Sequence, residues 1–151
     1  MTEYHKLINE INNGKLSPIY LIHGDESFYS DKIIQYIIDS AITEDAIDFD
    51  LKKVYAKKSD ENQEKEIIDF IKRYPLVGEY NLMIVKESKN LSSDFSLIQS
   101  YIENLNQKSI LVLSFSNTLD KRKKIYKSFL KNGVVFESKK IYENQVYQWI
   151  E

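Results

Sequence analysis

Three short runs in this chain are apolar without interruption: Pro18 to Ile22, Leu82-Met83-Ile84-Val85 and Ile110-Leu111-Val112-Leu113. A strand with one face in water alternates polar and apolar residues, because successive side chains point to opposite faces. A run that never alternates is a strand covered on both faces. Something must supply both covers, and the segments between the runs have the spacing to do so. Phe28, Ile33, Ile34, Ile37, Ile38 and Ala41 describe one face of a long helix, and Ile67, Ile68 and Ile71 one face of another. Strands that alternate with helices, over connections too long for hairpins, form a parallel sheet.

The remaining elements fit that rhythm. Thr2 to Asn13 is predicted to be a leading helix with Leu7, Ile8 and Ile11 inward, closed by Gly14. His23-Gly24 ends the first strand, and Asp25 is the predicted N-cap of the helix that follows. Phe49, Leu51 and Val54 predict the second strand, and Ser59 with Asp60 and Glu61 the start of the next helix. Asp94 to Leu105 and Lys121 to Lys131 read as helices, the latter closed by Asn132-Gly133. Val134-Val135-Phe136 reads as a short fifth strand. The expected fold is therefore an α/β, doubly wound, mainly parallel five-stranded sheet, with the first strand central because it is the most uniformly apolar. Glu143 to Glu151 begins an amphipathic helix with Val146, Trp149 and Ile150 and then stops, which predicts a polypeptide that continues into further domains.

Composition narrows the function. With 42% hydrophobic and 29% charged residues over 151 positions, the chain has enough apolar material for one domain. No apolar run approaches the ~20 residues that span a bilayer, and the N-terminus has no signal-like stretch, so no membrane role is expected. The absence of cysteine removes disulfides, thiolate zinc sites and cysteine nucleophiles, and a cytoplasmic location is expected. A net charge of −2 gives no global attraction to nucleic acid.

In a doubly wound sheet the first strand-to-helix turn is where phosphate is cradled. A P-loop there needs G-x-x-x-x-G-K-[ST]: glycine for close approach of the amides, lysine against the phosphate charge, a hydroxyl for magnesium. Counted from Gly24, those last three positions hold Tyr29, Ser30 and Asp31. Every requirement fails, and Asp25, Glu26 and Asp31 add negative charge. The third strand, where a carboxylate would serve the magnesium shell, runs into Lys86 before Glu87. The P-loop is degenerate, and no cofactor, metal or catalytic residue is expected.

Other chemistry is weaker still. His23, Asp25 and Ser27 lie too close on one turn for a relayed triad, and His23 reads as the polar end of the first strand. His5 has no second ligand nearby, and Glu64, Glu66 and Asp69 read as a solvated helix face. Lys121, Arg122 and Lys124, with Lys123, Lys127 and Lys131, form the densest basic cluster, beside an apolar side of Ile125, Phe129 and Leu130. It reads either as a solvated face or as a DNA-phosphate contact. The most unusual stretch is Arg73 to Tyr80, a loop in which Pro75 and Gly78 bracket Leu76 and Val77. Either at least one of these two side chains is exposed at the tip or both tuck under the sheet edge.

Three stretches together resemble the N-terminal domain of the delta subunit of bacterial DNA polymerase III, the clamp-loader component. They are Pro18 to Glu26, then Tyr74 to Glu79 running into Leu82 to Lys86, then Asp120 to Lys127. The resemblance spans essentially the whole chain. It implies a RecA-like, AAA+-type domain that binds no ATP, followed by a helical lid and collar absent from residues 1–151, and a subunit of the polymerase holoenzyme without catalysis of its own. It also implies that Leu76 and Val77, flanked by Tyr74 and Pro75, plug into an apolar pocket of the sliding clamp. Val77 is smaller than the residue the family often carries there. The implied partners are the clamp, ATPase and delta-prime-type loader subunits, and primer-template DNA. Two other readings stand beside this one: a nucleotide-binding α/β domain of another class, and a ring subunit that does not touch the clamp.

Overall fold

Alternate residues of each apolar run face opposite ways, and each set meets its own layer of helices. In the computed structural model, which describes residues 3–58, 60–91 and 94–139, Ile19, Leu21, Met83, Val85, Leu111 and Leu113 pack into one core with Ile67, Ile71, Ile98 and Phe129. Tyr20, Ile22, Leu82, Ile84, Ile110 and Val112 pack into the other with Ile11, Ile33 and Ile37. The result is a three-layer α/β/α domain with nearly every side chain of the inner strands out of water.

The sheet comprises β1 (Ile19–His23), β2 (Leu51–Tyr55), β3 (Asn81–Lys86), β4 (Ser109–Ser114) and β5 (Val134–Glu137). Their order is β2-β3-β4-β1-β5, and every pairing is parallel. The helices are α1 (Glu3–Asn12), α2 (Ser27–Ala41), α3 (Ile47–Asp50), α4 (Gln63–Lys72), α5 (Ser96–Ile102) and α6 (Lys124–Asn132). α1 ends as its sequence predicts. Gly14 is left-handed, its amide donates to the Ile11 carbonyl at 3.0 Å, and the Lys15 amide reaches Glu10 at 2.9 Å.

Several expectations need correction. The middle of the sheet is β4, not the first strand: β1, β3 and β4 are all buried, so apolarity alone does not rank them. The N-cap of α2 is Glu26 rather than Asp25, with the Glu26 carboxylate accepting from the Phe28 amide. Phe28 is exposed, not on the buried face of α2. Phe49 lies on α3 and not in the second strand. The fourth helix begins at Gln63, whose side chain accepts from the Lys57 amide and donates to the Tyr55 carbonyl, tying the helix start to the end of β2. Ser59 lies outside the described residues, as does the helix expected over Glu143 to Glu151. The fifth helix spans Ser96–Ile102 rather than Asp94 to Leu105, and the sixth begins at Lys124 rather than Lys121. Leu130 is exposed, so the buried side of α6 is Ile125 and Phe129.

Candidate functional site

The segment from α4 to β3 is built from its base upward. At the base, the Asn81 side chain donates to the Arg73 carbonyl at 2.6 Å, and the Asn106 side-chain Nδ2 donates to the Ile71 and Arg73 carbonyls at 3.0 Å. The Arg73 guanidinium lies 4.3 Å from the Phe70 ring centre and donates to the Phe49 carbonyl at 2.6 Å. Above this base the chain turns outward. Tyr74 is 73% exposed, Leu76 66% and Val77 45%. Of the two arrangements open to the sequence, the exposed one is observed, and Pro75 is half-buried between Tyr74 and Leu76.

What holds the tip is Asp50, the last residue of α3, whose side chain is buried. One carboxylate oxygen accepts from the Leu76 amide at 2.7 Å, and the other from the Val77 and Gly78 amides at 3.0 and 2.6 Å. Burial alone would push the Asp50 carboxyl up. The amides of Gly78, Leu76 and Val77 and the nearby positive charge of Arg73 outweigh it and hold the group below the usual carboxylate range. Gly78 sits close to this anchor: a Cβ there would stand 3.3 Å from that of Ala46 and 3.5 Å from an Asp50 oxygen. The same short helix exposes Phe49 and Ile47. The exposed apolar side chains thus come from two adjoining segments, 47–49 and 74–77.

Sequence reasoning missed Asp50, Phe49 and Ile47. No local pattern marks them, since the contact joins positions 26 to 28 residues apart. It also misread Glu64, which is buried and accepts from the Ile98 amide at 3.1 Å, joining α4 to α5.

The first strand-to-helix turn has a different character. Gly24 adopts φ 123°, and a Cβ there would collide with the Ser138 carbonyl. Its amide donates to the Asn117 carbonyl at 3.0 Å, and the Glu26 amide to the Ser138 carbonyl at 3.5 Å. Ser138 in turn donates its amide to the His23 carbonyl at 2.6 Å and its hydroxyl to the Glu26 carbonyl. The residue after β5 is laced into the place where a P-loop curls around phosphate. Tyr29 stacks edge-on with Tyr4 at 4.9 Å, and Ser30 is buried, its hydroxyl directed to the Glu26 carbonyl at 3.5 Å. Asp31 and Lys86 pair at 2.8 Å. A carboxylate thus replaces the magnesium-binding hydroxyl, an ammonium replaces the strand-end carboxylate, and the two cancel.

His23 is the buried end of β1, as its position predicts. Its Nδ1 accepts from the Leu119 amide at 3.0 Å, and burial, with Lys121 nearby and against the opposing pull of Glu137, depresses its pKa. Lys121 and Arg122 lie exposed in the turn before α6, and Lys124 opens that helix. Arg122 is engaged by Asp120 through contacts of 2.8 to 3.2 Å. Among the described residues no cluster of His, Asp or Glu is arranged to hold a metal, and no helix is long and apolar enough to cross a membrane.

A family model described as DNA polymerase III, delta subunit, matches residues 20–139. Among curated relatives, DNA polymerase III subunit delta of Bacillus subtilis is 23% identical over 141 residues, covering 87% of this chain and 40% of that protein. A Ureaplasma parvum protein named as a probable ATP-dependent 6-phosphofructokinase is 26% identical over 128 residues, covering 73% of this chain and 40% of that protein. The chain therefore spans less than half the length of these relatives. Among solved structures, the Bacillus subtilis DNA clamp loader delta protein superposes with a TM-score of 0.84 at 22% identity, over 97% of this chain and 45% of that one. Thermotoga maritima RuvB does so at 0.52 and 12%, over 98% and 47%. These likenesses agree with the all-parallel sheet order in giving an AAA+-type fold. The family match runs from β1 past the end of β5 and so takes in the outward-turned loop and the altered first turn alike, and the chain belongs to the DNA polymerase III delta subunit family.

Proposed function

We propose that this chain is the clamp-docking domain of a replication clamp loader: it binds the DNA sliding clamp through the tip formed by Tyr74, Pro75, Leu76 and Val77 and favours the open clamp without using ATP itself. The observation that carries the reading is the pair of apolar side chains, Leu76 and Val77, held in water at 66% and 45% exposure by a buried carboxylate. Exposed apolar residues fixed on a rigid scaffold mark contact surfaces, and a few desolvated anchors carry most of the energy of such contacts. Phe49 and Ile47 extend the surface on α3.

Opening requires only differential affinity. A tip complementary to the clamp with a relaxed ring interface shifts the closed–open equilibrium by the difference between its affinities for the two states. Independence from ATP is supported by the first turn, where the Gly24 and Glu26 amides already serve protein carbonyls and Asp31 is paired with Lys86. ATPase and delta-prime-type subunits of the full assembly then supply the energy and decide when the tip is free. Lys121, Arg122 and Lys124 face solvent and suit a sequence-independent contact with primer-template phosphates. Capture of the purified sliding clamp by the chain, and loss of capture on Leu76→Asp, tests the reading. Equal capture by both proteins would defeat it.

A further inference from the structure

Leu76 and Val77 stand in water at the tip, 66% and 45% exposed. A loop carrying a leucine at 66% exposure would gain by folding that side chain down. Its backbone must therefore be held from below. Three consecutive amides, those of Leu76, Val77 and Gly78, converge on the two oxygens of one carboxylate at 2.6 to 3.0 Å. Successive amides that point into one concavity form an anion-binding nest. Here the anion is a side chain of the same protein, delivered from α3 and buried, while the neighbouring apolar side chains stay outside.

We propose that Asp50 is the positioning residue of the docking tip: its carboxylate fixes the 76–78 backbone in the shape that presents Leu76 and Val77 to the partner. The inference rests on the docking reading given above and adds the element that makes the tip competent. Ordering a loop in advance removes an entropic cost that would otherwise fall on the binding step. Asp50 suits that task because it precedes the sheet ladder, which begins at the Leu51–Leu82 pair, so its loss releases the loop without unpairing a strand. Arg73 reinforces the arrangement by bonding the Phe49 carbonyl, one residue before the anchor. Asparagine cannot replace the carboxylate, since its NH2 group would face at least one amide donor where an acceptor is required.

The experiment uses the 151-residue chain as wild type, Asp50→Asn and Leu76→Ala, with the purified sliding clamp as probe. Clamp affinity, thermal unfolding and amide hydrogen exchange are measured on each. Asp50→Asn is expected to weaken clamp binding by about tenfold, as the loss of charge-assisted hydrogen bonds and of preorganisation implies. The loss should fall largely on the association rate of the folded protein. Exchange at Leu76, Val77 and Gly78 should quicken, while amides in β1 and β4 keep their protection. If Leu76→Ala loses binding and Asp50→Asn binds like wild type, the positioning role is overturned and the docking reading stands. If the wild-type chain does not bind the clamp, both fall. Should Asp50→Asn melt too low to assay, the wild-type protein decides alone: protected amides at 76, 77 and 78 support the anchor, and exchange at the rate of an unstructured loop overturns it.

Discussion

A carboxylate removed from water is costly unless other groups replace its hydration, and three amides do this for Asp50. The folded-state pKa lies below the ordinary carboxylate value, so Asp50 adds stability at pH values above the unfolded pKa, and that contribution is lost as pH falls through the folded value. Hydrogen exchange followed downward in pH should therefore show the Leu76, Val77 and Gly78 amides losing protection below about pH 4, the ordinary carboxylate range. Asp50→Asn should show no such step. Leu76 gives the complementary expectation. As an exposed anchor, its truncation to alanine should cost about 2 kcal/mol of clamp affinity and leave the melting temperature unchanged. A buried leucine would instead cost roughly 2–5 kcal/mol of folding stability. The exposure of Leu76 was one of two arrangements open to the sequence, because Pro75 and Gly78 define a turn but not the direction in which it projects. That direction is set by Asp50, 26 residues earlier in the chain, through a contact with no local signature.

At the scale of elements, the sequence reveals what burial writes into it. β1, β3 and β4 are legible because both of their faces are covered, so no polar residue interrupts them. Which of them lies in the middle is not legible, since all three are buried over nearly their whole length and order depends on the path of the crossovers. The start of α4 is less legible, because it is set by the Gln63 side chain, which bonds the Lys57 amide and the Tyr55 carbonyl at the end of β2. The altered first turn was legible as a set of missing residues. What fills it was not, because Ser138 lies more than a hundred positions away from Glu26. Gly24 tests that filling. At φ 123°, with the Ser138 carbonyl against it, Gly24→Ala should lower stability by about 1–3 kcal/mol, as expected for a side chain forced into a strained backbone region. Thermal unfolding measures it, and an unchanged melt would mean that the turn is not packed as described.

For the whole molecule, the AAA+-type layout carries the apolar tip, just before β3, and the first strand-to-helix turn, just after β1, on one five-stranded parallel sheet. Titration of ATP or ADP with magnesium into the chain should give no saturable heat at micromolar concentrations, because the Gly24 and Glu26 amides are already bonded and Lys86 neutralises Asp31. Docking of a ring through one loop is the function proposed for this fold. It is tested most directly by equilibrium binding of the purified sliding clamp to the wild-type chain and to Leu76→Asp, each shown by thermal unfolding to be folded. Saturable binding is expected of the wild type and none of Leu76→Asp at the same melting temperature. Equal affinity of the two folded proteins, or no binding by either, would contradict it.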